Sequence, residues 1–197
     1  MQIFRALPAH KAATTELLPP RPTARPPGNV PYVVDNLWEW VRPSHMPCRR
    51  HAVYASPSPD LALASGADGS SAFRVNLPGR FKAAQLLSDT DSKYHPECRA
   101  LRRWLLRHLG QSWIEESAQA RHALAPLWMP CLPAAETDEI LEMARNLDTR
   151  ALAEQIHYWD DVRRIEKTDD IDPEGGEIFF EPLDGYRLVP IQRCPRR

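Results

Sequence analysis

The sequence is poor in the features that identify several common classes of protein. Its four cysteines, Cys48, Cys98, Cys131 and Cys194, are widely spaced and form no CxxC pair, which argues against a zinc site and favours reduced thiols. Neither a G-x-G-x-x-G motif nor a P-loop occurs, so a Rossmann or kinase-like nucleotide site is not supported. We expect no metal site, because the histidines have no suitable spacing with acids or cysteines.

Long apolar runs are also missing. No stretch approaches the roughly 20 apolar residues that a membrane-spanning helix needs, and the segment from Met1 to Leu7 lacks the apolar run of a signal peptide. We therefore expect a cytoplasmic protein with no membrane partner. Its location is either the cell that makes it or a target cell that receives it without a leader.

The composition fits one globular domain over residues 1–197. The chain is 43% hydrophobic with a formal net charge of −1, and its 20 prolines argue against a helical bundle. Positions 136–184 hold 16 acidic and 5 basic residues, whereas positions 1–135 hold 16 basic and 10 acidic ones. The basic part either attracts a phosphate-bearing ligand or simply complements an acidic, solvated part.

Apolar patterning predicts strands near both ends of the chain and helices between them. The predicted strands are 3–7, 52–55, 72–77, 178–180 and 186–191. The predicted helices are 33–41, capped by Asp35 or Asn36, then 60–65, 96–109, 112–127, 134–147 and 149–165. This order predicts an α+β fold, in which a sheet from both chain ends carries a helical insertion at about 93–168.

Three short segments place chemically useful side chains beside predicted strands. Arg5 follows Phe4 in the first strand, YASPS over 54–58 ends the second, and GGEIFF over 175–180 opens a late strand with Glu177. A carboxylate at the start of a strand can be held rigidly while it faces an open cleft. We expect the preceding Gly-Gly to be flexible.

In this order, the segments resemble the ADP-ribosyltransferase superfamily of the Arg–Ser–Glu type. That family has an aromatic-Arg pair on its first strand, an aromatic-x-Ser-Thr-Ser strand, and a Glu/Gln-x-Glu turn that opens a late strand. The resemblance implies an ADP-ribosyltransferase-like split β-sheet core and NAD as the substrate. Here Pro57 replaces Thr, and Gly175 replaces the first Glu or Gln. Unless Glu174 substitutes, another acceptor or plain NAD hydrolysis is implied.

The resemblance implies catalytic roles for three residues. Glu177 would stabilise the positive charge that develops on the ribose as nicotinamide leaves through an oxocarbenium-like transition state. Arg5 would grip a phosphate or the ribose with its planar fork, and Ser56 would hold Glu177 or the ribose. Beside Arg5 and Ser56, the predicted NAD-binding side chains are Tyr32, His51, Tyr54 and Ser58.

Each of these residues also has a structural explanation. The stem of Arg5 can cover a sheet, the Ser-Pro-Ser-Pro-Asp run signals a helix start, and Tyr54 fits a core position. Glu177 is equally compatible with a solvated hairpin. The structure must therefore show whether Arg5, Ser56 and Glu177 meet.

A second resemblance points to the same substrate. The stretch HAVYASPSPDLALA over 51–64 is similar to the strand–helix signature of the RES-domain toxins, which degrade NAD on a related fold. That family follows its Ala-Leu run with Glu, where this chain has Ser65-Gly66, and its Gly-Gly-Arg-Trp segment is missing here.

The two resemblances define the expected function. We expect an NAD-consuming mono-ADP-ribosyltransferase-like toxin or effector, which transfers ADP-ribose to a protein or nucleic-acid acceptor and has a cognate inhibitor protein among its candidate partners. The alternative is a RES-type NAD glycohydrolase or phosphorylase. An inactive protein-binding module of the same fold and an α+β domain of unrelated activity also stay open.

Overall fold

The computed structural model describes residues 2–8, 16–28, 30–109, 122–144 and 147–191. Helices and antiparallel sheets are combined in it, which confirms the α+β class. The strands are β1 (Ile3–Pro8), β2 (Val53–Ala55), β3 (Ser70–Asn76), β4 (Phe81–Leu86), β5 (Val162–Ile165), β6 (Ile178–Pro182) and β7 (Arg187–Pro190). The α-helices with assigned bounds are α1 (Tyr32–Trp40), α2 (Pro59–Ser65), α3 (Glu97–Leu109), α4 (Ala134–Met143) and α5 (Thr149–Ala153).

The strands form two sheets that are both antiparallel. One has the order β1-β3-β7 and the other the order β2-β6-β4-β5. Strands from the two ends of the chain therefore enter the same sheets, as the sequence predicted. An antiparallel bridge joins the sheets, in which Phe4 N donates to the Ser56 carbonyl at 2.9 Å and Ser56 N donates to the Phe4 carbonyl at 2.7 Å.

The four-stranded sheet is covered on both faces, and the alternation of β6 shows how. Ile178 and Phe180 pack between the two sheets, with Ile3 and Val53 among their neighbours. Phe179 points to the opposite face, into a larger core that includes side chains of α1, α3 and α4. Burial on both faces holds β6 in place, so the residue directly before it has a rigid support.

A local sequence signal explains where α2 begins but not where α1 begins. In α2, the Ser58 side chain accepts a hydrogen bond from Leu61 N at 3.2 Å, and Pro59 occupies the first turn. Helix α1 begins after Pro31, so the prediction that Asp35 or Asn36 caps it was wrong. Both side chains are buried inside the helix, because they bind distant partners rather than the local backbone.

The middle of the chain differs from its prediction. Strand β4 was missed, because its sequence FKAAQL has two alanines and weak alternation. It lies between β5 and β6 with both faces covered, where small side chains fit. The predicted helix over 149–165 is wrong after α5, since Tyr158–Asp161 is a 3-10 turn and Val162–Ile165 is β5. Val162 and Ile165 are buried while the two arginines between them are exposed.

Residues 93–168 are therefore not helical throughout, and their helices share a core with α1. In the predicted helix over 112–127, positions 112–121 lie outside the described residues, 122–124 are helical, and Ala125–Trp128 is a 3-10 turn. Further 3-10 turns are Ser92–Tyr94 and Thr168–Asp170. Within the described ranges, no helix combines the length and apolar character needed to cross a bilayer.

Candidate functional site

A cavity of about 180 Å³ opens where the two sheets meet. The Phe4–Ser56 bridge brings β1 beside the end of β2, and α2 and the loop after β4 complete the walls. Arg5, Ser56 and Glu177 line this cavity together. The other lining residues are Phe4, Ala6, Tyr54, Ala55, Ala62, Ser65, Gly66, Thr90 and Asp91.

The backbone holds Glu177 at the start of β6. Gly176 N donates to the Leu86 carbonyl at 2.9 Å, and Leu86 N donates to the Glu177 carbonyl at the same distance. A Cβ on Gly176 would lie 1.7 Å from the Asp89 carbonyl oxygen, and one on Gly175 would lie 2.5 Å from Gln85 Nε2. The two glycines are therefore closely packed, and the expectation of a flexible lead-in was wrong.

A buried network binds the Glu177 carboxylate. Ser92 Oγ donates to Glu177 Oε2 at 2.5 Å, and Arg49 Nη1 lies 3.6 Å from the same oxygen. Burial raises the pKa of Glu177, while the charge of Arg49 and the Ser92 hydrogen bond oppose that rise. The side chain keeps 16% exposure, so the carboxylate is anchored yet still reaches the cavity.

Arg49 is the central cation of this network, and sequence reasoning missed it. Its side chain is 1% exposed, and Nη1 donates to Ser92 Oγ at 2.8 Å and to the Tyr158 hydroxyl. The guanidinium carbon lies within 5.7 Å of the ring centroids of Trp38, Tyr54, Tyr158 and Phe179. Cation–π attraction is strongest in such a desolvated setting.

A weak sequence signal for Arg49 and Arg50 was present. Asp35 and Glu39 are four residues apart, so they lie on one face of α1. Arg50 Nε donates to Asp35 Oδ2 at 2.9 Å, and Arg49 N donates to Glu39 Oε1 at 3.0 Å. Asp35 therefore pairs with the Arg50 side chain. Glu39 instead accepts from the backbone N–H of Arg49 and pairs with the Arg42 side chain.

The other two predicted catalytic residues line the cavity without touching Glu177. Arg5 Nη1 donates to the Tyr186 hydroxyl at 3.0 Å. The Ser56 side chain is buried at the wall, and its hydroxyl has no hydrogen bond to any residue in the described part of the chain. The hydroxyl that holds Glu177 is that of Ser92, on the loop after β4. Nothing near Ser92 in sequence indicates this, because the contact spans 85 positions.

Of the remaining predicted NAD-binding residues, one lines the cavity and three do not. Tyr54 lines the cavity, and its hydroxyl donates to the Arg49 carbonyl at 2.9 Å. Tyr32 is exposed at the start of α1, Ser58 serves as the cap of α2, and His51 Nδ1 lies 3.4 Å from the Arg21 carbonyl. None of these three lines the cavity.

Cysteine and metal chemistry find little support at this site. Burial raises the pKa of Cys48 and Cys98 to about 11, so both thiols are protonated near neutral pH and are poor nucleophiles. No group of three or more His, Cys, Asp or Glu side chains suited to a metal ion occurs among the described residues. The chemistry available in the cavity is that of the two acidic residues Glu177 and Asp91, one guanidinium and several hydroxyls.

Comparison with protein-family models, with curated proteins and with solved structures found no match for this chain. The fold class therefore rests on the two antiparallel sheets and the helices that cover one of them.

Proposed function

We propose that this chain is an NAD-consuming enzyme of the ADP-ribosyltransferase type, which releases nicotinamide from NAD in the cavity beside Glu177. One observation carries the proposal. Arg5, Ser56 and Glu177 come from β1, the end of β2 and the start of β6, yet they line one cavity. A module that had kept the fold for protein binding alone would not need to bring these three together.

The size of the cavity suits one end of the dinucleotide. Its volume of about 180 Å³ is below the roughly 300–1,000 Å³ of pockets that enclose drug-sized ligands. The nicotinamide and its ribose would occupy the cavity, and the diphosphate would lie at its mouth. Arg5 lines the cavity, and two further arginines lie near it, because burial and then the charges of Arg5 and Arg25 lower the pKa of Arg21.

The proposed reaction breaks the bond between the ribose C1′ and the nicotinamide nitrogen. The bonding electrons leave with nicotinamide, and positive charge develops on the ribose. The anchored Glu177 carboxylate stabilises that charge, and it needs no reorganisation because Ser92 and Arg49 already hold it. Arg5 would bind a phosphate with its planar guanidinium fork.

Hydrolysis, with water as the acceptor of ADP-ribose, is a second candidate reaction. Gly175 has no side chain that could orient an arginine acceptor, and its backbone packs against Gln85. Glu174 is exposed, does not line the cavity, and binds Asp172 Oδ1 through its backbone N–H at 3.0 Å. Glu174 is therefore no substitute, and hydrolysis by water or transfer to an acceptor other than arginine fits better. A macromolecular acceptor and an inhibitor protein remain expectations.

The test is nicotinamide release from NAD by the purified chain, followed by chromatography. We expect Glu177→Gln to lower the rate by about 100- to 1,000-fold, the loss typical of one preorganised electrostatic group. Glu174→Gln is the matched control, because it removes an exposed carboxylate three positions away, and it should retain the full rate. Thermal unfolding of both variants shows whether the fold is intact.

Two results would contradict the proposal. One is NAD binding without any nicotinamide release, with or without cell extract as a source of acceptors. The other is equal release by wild type and Glu177→Gln. If labelled ADP-ribose stays free in solution, the reaction is hydrolysis, and if it becomes attached to a macromolecule, the reaction is transfer.

A further inference from the structure

Asp91 is a second acidic residue among those that line the same cavity. It lies on the loop between β4 and the 3-10 turn Ser92–Tyr94, and it lines the cavity together with Thr90 and Glu177. The next residue, Ser92, donates to Glu177. One short loop therefore both anchors the first carboxylate and places another beside it, and the charge of Asp91 contributes to the raised pKa of Glu177.

Asp91 also has a structural role, which any test must separate from chemistry. Its Oδ1 accepts a hydrogen bond from Lys93 N at 2.9 Å and caps the 3-10 turn. Its Oδ2 lies 3.1 Å from Lys93 Nζ. Each carboxylate oxygen has a further lone pair, so both can still accept a hydrogen bond. The cap alone does not require Asp, because Asn and Ser cap equally well.

We propose that Asp91 is a catalytic residue, which binds the attacking hydroxyl or water and takes its proton. This inference rests on the proposed function. The oxygen of water or of an alcohol forms a bond to the ribose C1′ while the bond to nicotinamide breaks. Its proton passes to Asp91, and nicotinamide leaves with the bonding electrons. Glu177 is committed to Ser92 and Arg49, so a separate carboxylate would serve the nucleophile, which is the role of the general base in inverting glycosidases.

The experiment compares Asp91→Asn with wild type in nicotinamide release, with and without sodium azide. General base catalysis contributes about 100- to 10,000-fold, so the water reaction should fall by about 100-fold or more. Azide carries no proton to remove, so it should restore turnover in Asp91→Asn but not in Glu177→Gln. Asp89→Asn, an acid of the same loop outside the cavity wall, is the control and should keep the full rate.

Each other outcome identifies what fails. Full activity of Asp91→Asn overturns the role of Asp91 and leaves the proposed function standing. Lost activity that azide does not restore assigns Asp91 a structural role only, which a lowered thermal midpoint would corroborate. Absence of nicotinamide release from the wild type, in water and in azide, overturns the proposed function and this inference together.

Discussion

Replacing Arg49 by Met removes the buried cation while keeping most of the volume of the side chain. Glu177 then loses its charged neighbour, and Ser92 Oγ and the Tyr158 hydroxyl lose a donor. Breaking a buried ion pair from one side costs about 3–5 kcal/mol. Because 16% of the Glu177 side chain is exposed, water compensates in part, and we expect a loss of about 3 kcal/mol in the free energy of unfolding.

The double variant Arg49→Met/Glu177→Gln separates the ion pair from packing. Removal of both partners of a buried pair is often neutral or stabilising, so the double variant should unfold at a higher urea concentration than Arg49→Met near pH 7. The stability that Arg49→Met loses relative to wild type should also shrink towards pH 4. The Arg49 charge lowers the pKa of Glu177, so in the variant Glu177 accepts a proton more readily in the folded state.

Urea unfolding followed by tryptophan fluorescence measures all three proteins. Arg80→Met is the matched control, since Arg80 is an exposed arginine paired with Asp184, and its midpoint should change little. The reasoning is refuted if Arg49→Met loses less than about 1 kcal/mol, or if the double variant is less stable than Arg49→Met.

Three further predictions concern the support of Glu177. Gly176→Ala should cost about 1–3 kcal/mol, because its Cβ would lie 1.7 Å from the Asp89 carbonyl oxygen, whereas Gly28→Ala, with nothing within 4 Å of its new Cβ, should be nearly neutral; equal thermal shifts would contradict this. Glu177→Gln should gain stability relative to wild type as pH rises from about 4 to about 7, because burial raises the folded-state pKa of Glu177 above its unfolded value and ionisation then disfavours folding. Urea unfolding across that range checks the sign, and a relative gain by the wild type would refute it. Ser92→Ala should raise the pKa of Glu177 further, since the lost hydrogen bond favoured the carboxylate; an NMR titration that shows the same or a lower pKa would count against the network.

Local sequence signals predicted the elements near the two ends of the chain better than the strands β4 and β5 between them. Strands β1, β2 and β6 and helix α2 have apolar runs bounded by Pro, Ser or Gly, so their positions could be read from the sequence. Strand β4 could not, because both its faces are buried and its alanines favour a helix when seen alone. Strand β5 follows helical residues without a break such as Pro or Gly.

The same limit applies to the candidate site. Glu177 and Arg5 stood out because each lies within a short motif beside a strand. Arg49 and Ser92 did not stand out, because they matter through their contacts to Glu177. Glu177 lies 128 positions after Arg49 and 85 positions after Ser92 in the chain. Gly175 and Gly176 were misread for a related reason. Their small size serves close approach to Gln85 and the Asp89 backbone, which only the folded chain reveals.

The walls of the cavity come from β1, β2, α2, the loop after β4 and the position just before β6. A ribosome that has reached about position 170 has already made every wall except the Glu177 carboxylate, which the proposed reaction needs. A polypeptide that ends before position 177 therefore lacks the carboxylate on which the proposed reaction depends.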